Sequence, residues 1–159
     1  SYGETENLIR RLLGDQGARA TPVADTTPTS LMTPESYLGY ARLQNYLGRP
    51  PVPDKAATYA FPASLPVNAL SYAGRWTVGS QSIVAGPEAR LRLHFEARNV
   101  YIVLGGRGTV QATIDGKPAG TIRVDAQRLY TVRASKDSET ALLELRFSPG
   151  IQAYSFTFG

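Results

Sequence analysis

Sulfur is nearly missing from this chain. None of its 159 residues is cysteine and one is methionine. A domain without thiols forms no disulfide, runs no thiolate chemistry and builds no zinc–cysteine site. Long apolar runs are missing too, since nothing approaches the roughly 18 residues that cross a bilayer as a helix. No direct membrane insertion is therefore expected. No signal peptide opens the chain and no Met starts it, so it reads as a fragment whose targeting signals lie upstream. Lysine is scarce, three against 14 arginines, and the basic residues form no tight cluster. That argues against nucleic acid as a partner.

The formal charge is +4, unevenly spread. Residues 1–33 carry three arginines and four acids, whereas residues 34–159 carry 14 basic and 9 acidic groups. The basic excess belongs to the second part, and it suits a surface for anions such as acidic glycans or phospholipid headgroups.

Glu4 and Glu6, then Leu8, Ile9, Leu12 and Leu13, then Arg10, Arg11 and Gly14 spell a short amphipathic helix with acids at its start, bases at its end and a glycine stop. Its apolar stripe needs a partner surface, as the last element of a preceding domain would. Residues 15–33 have the Gly, Thr, Pro and Asp content of a linker. Thr33-Pro34-Glu35 resembles a helix start and predicts a brief helix over Pro34 to Tyr40.

From Ala73 onward the pattern changes to period two. Arg90-Leu91-Arg92-Leu93-His94-Phe95-Glu96 alternates without a slip, the mark of a strand with one buried face. Strands are predicted near Gly74–Val78, Gln81–Val84, Arg90–Ala97, Asn99–Leu104, Thr109–Ile114, Gly120–Val124, Arg128–Arg133, Thr140–Phe147 and Gln152–Phe158. Asp115-Gly116 and Ser148-Pro149-Gly150 are turn signals. The expected core is Leu91, Leu93, Phe95, Val100, Ile102, Leu104, Val110, Ile114, Leu143, Leu145 and Phe147. The fold class is all-β, a jelly-roll β-sandwich with a short N-terminal helix.

Little here carries covalent chemistry. The single histidine, His94, alternates away from Leu93 and Phe95 and reads as a solvated strand residue. No Gly-x-Ser-x-Gly elbow surrounds a serine. Gly105-Gly106-Arg107-Gly108 precedes a strand, not a helix, so it is a turn and not a phosphate cradle. No cofactor is expected. Asp115, Asp125 and Asp137 are the carboxylates open to a structural calcium, without EF-hand spacing. Aromatics are the stronger lead. A tyrosine or tryptophan ring stacks on the apolar face of a sugar, and tyrosine adds a hydroxyl for its polar edge. Trp76, Tyr101, Tyr37 and Tyr40 are the candidate ring residues, with Tyr46 beside them; Arg75, Arg92 and Arg98 are the candidate charged neighbours.

Gly74-x-Trp76, Ala89-x-Leu91-x-Leu93-x-Phe95, Val100 to Gly105 and Ile114-Asp115-Gly116-Lys117 resemble jelly-roll carbohydrate-binding modules with a galactose-binding-like fold. Over nearly the whole chain, Thr33 to Gly39, Gln127-Arg128-Leu129-Tyr130 and Pro149 to Gly159 resemble the C-terminal end of the DipZ family, actinobacterial-type membrane thiol–disulfide proteins related to cytochrome c biogenesis proteins. That resemblance implies three parts: residues 1–14 as the last helix of a thioredoxin-like domain, 15–33 as a linker, and 34–159 as a carbohydrate-binding-module-like sandwich. It implies an extracytoplasmic, cell-envelope location and two partners, an envelope carbohydrate and the parent's thioredoxin-like domain. The family's redox pair, Cys-x-x-Cys, is absent from this sequence, so no catalytic residue carries over. The expected function is a non-catalytic accessory binding module. The alternative is a structural domain that docks on the thioredoxin-like domain or its protein substrates and binds no sugar.

Overall fold

The structure, a computed structural model, describes residues 32–159. The helix expected over Gly3 to Gly14 and nearly all of the linker lie outside the described residues. Met32–Gly159 form one compact unit, and no α-helix occurs among the described residues. Nine strands follow in order: β1 (Ser36–Tyr37), β2 (Ala56–Tyr59), β3 (Leu70–Val78), β4 (Ile83–Ala85), β5 (Arg90–Gly105), β6 (Gly108–Ile114), β7 (Lys117–Val124), β8 (Arg128–Phe147) and β9 (Gln152–Phe158).

The pairings resolve into two layers that share three long strands. In the first layer, the start of β3 pairs the start of β5, which pairs the end of β8, then β6, then β7. In the second, β2 pairs the end of β3, followed by β4, β9, the end of β5 and the start of β8, with β1 beside β4 on β9. β5 crosses between layers through irregularities at Ala97/Asn99 and Val100/Tyr101. Bulges of this kind turn the corners of packed sheets. β3 turns at Gly74, whose φ of +81° suits glycine and whose missing side chain leaves room for the Glu88 carbonyl. Opposite that point β4 and β5 run along one edge of β3, interrupted by Gly86 to Ala89: Arg75 N–H donates to Pro87 O (3.1 Å) and Gly86 N–H to Arg75 O (2.8 Å).

One core lies between the layers, built from inward alternate residues such as Leu91, Leu93, Phe95, Ile102, Leu104, Leu143 and Leu145. The expected core set is buried except Ile114, which packs at its margin. A line of rings runs through it: Tyr46 to Tyr72 (centroids 4.7 Å), Tyr72 to Trp76 (6.2 Å) and Trp76 to Phe147 (5.1 Å, edge to face).

Three expectations need correction. Pro34 to Tyr40 is extended, not helical. Thr33, read as a helix cap, instead bonds across to β5: its hydroxyl accepts from Glu96 N–H (2.7 Å) and donates to Asn68 Oδ1 (2.6 Å). Leu38 is then fully buried, where a surface helix would have left it half wet. Second, the strands expected as Arg90–Ala97 plus Asn99–Leu104, and as Arg128–Arg133 plus Thr140–Phe147, are single ribbons. Third, His94 is half-buried, with Nδ1 2.7 Å from Leu65 O. It holds the 61–68 segment against the first layer, helped by Asn68 N–H donating to His94 O (2.6 Å). The Asp115-Gly116 turn is as expected, with positive φ at both residues (51° and 84°), as a tight type I′ hairpin requires.

Candidate functional site

Alternation on β5 sends Val100, Ile102 and Leu104 into the core and Tyr101 and Val103 outward. Register carries that face sideways. Leu129 of β8 and Ser155 of β9 lie opposite Val103, and Tyr37 of β1 lies opposite Ser155. One step along, Thr131 and Thr157 flank Tyr101. The outer face of the second layer thus carries the rows Leu129–Val103–Ser155–Tyr37 and Thr131–Tyr101–Thr157. With strands about 4.8 Å apart and about 3.4 Å per residue along each, the Tyr37 and Tyr101 backbones are about 12 Å apart.

The two rings differ. The Arg42 guanidinium stacks over Tyr37 at 3.7 Å from its centroid. Among the described residues no ring or guanidinium stacks on Tyr101. Leu129 is 48% exposed, the most open large apolar residue among those described. Tyr154 borders the face, its hydroxyl donating to Gln152 Oε1 (3.0 Å). Sequence reading missed Leu129 and Tyr154: one gains meaning only from its partner Val103, and the other sits where a β9 register shift interrupts regular pairing.

The remaining candidates do not join this face. Trp76 is a correction. It is fully buried, and its indole N–H donates to Ala73 O (3.0 Å) and Arg90 O (3.2 Å), so no ring face is open to a ligand. The signal was available, because Trp76 shares its parity with Val78, also fully buried. Tyr46 is half-buried against Tyr72, its hydroxyl donating to Arg49 O (2.6 Å). Tyr40 is exposed beside the β3–β4 turn and donates to Asp54 Oδ2 (2.9 Å). That bond to a carboxylate raises its pKa above the ordinary tyrosine value. Arg75 is exposed on β3 and donates to Thr58 Oγ1 (3.2 Å). Arg98 is exposed at the β5 irregularity between layers. Arg92 lies on the outer side of the first layer, bonded to Glu144 (2.9 Å) and stacked over Phe61 (4.3 Å).

The three aspartates considered for calcium do not converge. Asp115 Oδ1 accepts from Leu142 N–H at the β6–β7 turn (2.9 Å), Asp125 lies beside Tyr130 and Arg128 after β7, and Asp137 is within β8. Among the described residues no three acidic or histidine groups gather as metal ligands.

A family model described as thioredoxin like C-terminal domain matches residues 33–159. The chain belongs to that family. It is 36% identical, over 99% of its length, to the DipZ proteins of Mycobacterium bovis and Mycobacterium tuberculosis, and the match covers 24% of each. The chain thus spans about a quarter of the length of these curated relatives, and the DipZ resemblance read from its motifs holds across it. A solved structure of a family two carbohydrate esterase from Cellvibrio japonicus superposes with a TM-score of 0.52 at 18% identity, covering 65% of this chain and 34% of that one. That likeness concerns the fold alone. The matched segment of this DipZ-type domain is strands without cysteine, so its own side chains hold no dithiol.

Proposed function

We propose that this DipZ-type domain is a non-catalytic accessory module of an extracytoplasmic thiol–disulfide protein, and that the outer face of its second layer holds a cell-envelope carbohydrate. The observation that carries this reading is the placement of Tyr37 and Tyr101, both half-buried, on one outward side of the sandwich, with the hydroxyls of Thr131 and Thr157 flanking Tyr101. Rings supply stacking surface and hydroxyls supply partners for a sugar's polar edge. The thiol chemistry belongs to a Cys-x-x-Cys elsewhere in the parent, and the module contributes proximity. Weak capture of an envelope glycan raises the local concentration of targets near the redox domain.

Titration with a panel of oligosaccharides tests it. Binding of at least one glycan is expected, with Tyr101→Ala weakening it about tenfold, the scale of one lost aromatic stacking contact. A blank panel from a protein with an intact fold overturns the proposal.

One observation favours a second reading. Leu129 beside Val103 gives the same face an apolar strip, as a docking surface for the parent's thioredoxin-like domain would need. In that case Leu129→Ser, and not Tyr101→Ala, abolishes association with that domain.

A further inference from the structure

The outer face of the first layer, on the other side of the sandwich from the tyrosines, carries a different chemistry. Register sets Arg90 of β5 directly opposite Arg146 of β8. Gln111 of β6 lies opposite Arg146, and Thr121 of β7 opposite Gln111. All four alternate away from the core, so Thr121–Gln111–Arg146–Arg90 forms a lateral row about 14 Å long across four strands. Arg123, opposite Thr109, and Arg92, opposite Glu144, flank the row one step to either side.

Like charges placed directly opposite on neighbouring strands are destabilising. Counterions on the protein only partly relieve them here. Glu144 is shared, 2.9 Å from Arg92 and 3.4 Å from Arg90. Glu88 reaches Arg146 at 3.6 Å but is itself 79% exposed, a pairing that water largely screens. Arg123 has no acidic partner among the described residues. Four arginines against two carboxylates leave this cluster at +2. Arg90 Nε is in addition buried without a hydrogen-bond partner. Phe61 lies beneath both inner guanidiniums, 4.3 Å from Arg92 and 5.1 Å from Arg90, and steadies their planes. The neighbouring cleft, lined by Phe61, Pro62, Ser64, Leu65, Arg92 and Leu142, encloses about 50 Å³, too little for a sugar ring. A ligand on this side therefore lies across the strands and is not engulfed.

We propose that this arginine row is a second binding surface, for a carboxylate-bearing polysaccharide laid across β5, β8, β6 and β7. The guanidinium fork matches the two oxygens of a carboxylate, and Gln111 and Thr121 offer amide and hydroxyl groups to the sugar hydroxyls between them. The surface is independent of the tyrosine face, and the two can fail separately.

The test is titration of the full chain with polygalacturonate, with neutral dextran and duplex DNA as comparison polymers. Polygalacturonate is expected to bind and dextran not. Arg146→Gln, at an exposed position, weakens binding about tenfold, the range of one lost charge-assisted hydrogen bond. Arg90→Lys also weakens it although the charge is kept, because the fork is lost. Lys55→Gln, the same charge change beside β2, leaves it unchanged. Thermal melts confirm that each variant is folded. No binding of polygalacturonate, equal losses for Lys55→Gln and Arg146→Gln, or DNA binding as tight as polygalacturonate would each overturn the proposal.

Discussion

Trp76 shows how one residue moves from surface to core once its neighbours are known. Its ring is enclosed by Tyr72 and Phe147 and its N–H is satisfied by backbone. Trp76→Ala is therefore expected to cost about 3–5 kcal/mol of stability, the usual penalty for deleting a large buried ring. Urea denaturation reads this directly, and a loss below about 1 kcal/mol would mean that the ring is not buried. Tyr72 gives a pH signature. Its hydroxyl donates to Leu38 O (2.6 Å), and burial, reinforced by Tyr46 and Tyr59, holds its pKa far above the ordinary 10.0. Burial raises Tyr46 as well. The unfolded chain releases these phenol protons near pH 10.0 while the folded chain keeps them. The folded state then binds more protons, so stability falls as pH rises past that point. Below it, the contribution is fully present. Tyr72→Phe is expected to flatten the alkaline decline of the melting temperature, while orphaning the Leu38 carbonyl costs about 1 kcal/mol at neutral pH. An unchanged alkaline slope would assign the effect elsewhere. Legibility at this scale was uneven. The outward direction of Tyr101 followed from Val100 and Ile102, whereas the bond from His94 to Leu65 joins residues 29 apart and has no trace in local pattern.

At the scale of elements, Gly74 and Gly116 form a matched pair. Both have positive φ, +81° and +84°. A side chain at Gly74 collides with the Glu88 carbonyl, whereas one at Gly116 meets nothing. Gly116→Ala should cost about 1 kcal/mol, the conformational penalty alone. Gly74→Ala should cost more than about 2 kcal/mol, because a backbone carbonyl must also shift. Equal losses in chemical denaturation would show that the β3 turn is less constrained than its geometry implies. Strands were readable where the apolar period was long, as at the two ends of β5 and of β8, though not the continuity between those ends, and the Asp-Gly turn named its own hairpin. Two short strands, β1 and β2, of two and four residues, carry too few residues for a period, and Thr33-Pro34-Glu35 imitated a helix start. Only the bonds of Thr33 to β5 and to Asn68 reveal its other role.

For the whole molecule, the class was legible and the assignment of faces was not. Alternation says that Arg90, Arg92, Tyr101 and Val103 all leave the core, but they leave it on opposite sides of the sandwich. The crossing between Ala97 and Tyr101 decides which, and it depends on pairings with strands that arrive dozens of residues later. The candidate faces were therefore present in the sequence as residues and absent as surfaces. Fusion tests the docking alternative. If the thioredoxin-like portion of the parent packs on this domain, joining the two raises the melting temperature of the sandwich, by roughly 2–4 °C per kcal/mol of contact energy for a body of this size. Melts that superimpose would leave the sandwich thermally autonomous and remove that reading.

β5 and β8 each run through both layers, so neither layer owns its central ribbons. A protease nick or an inserted loop within Arg90–Gly105 would strip the tyrosine face and the arginine face together. The hairpin tip at Asp115-Gly116 belongs to the first layer only, so a tag or a reporter carried there spares the tyrosine face and acts on the arginine face alone.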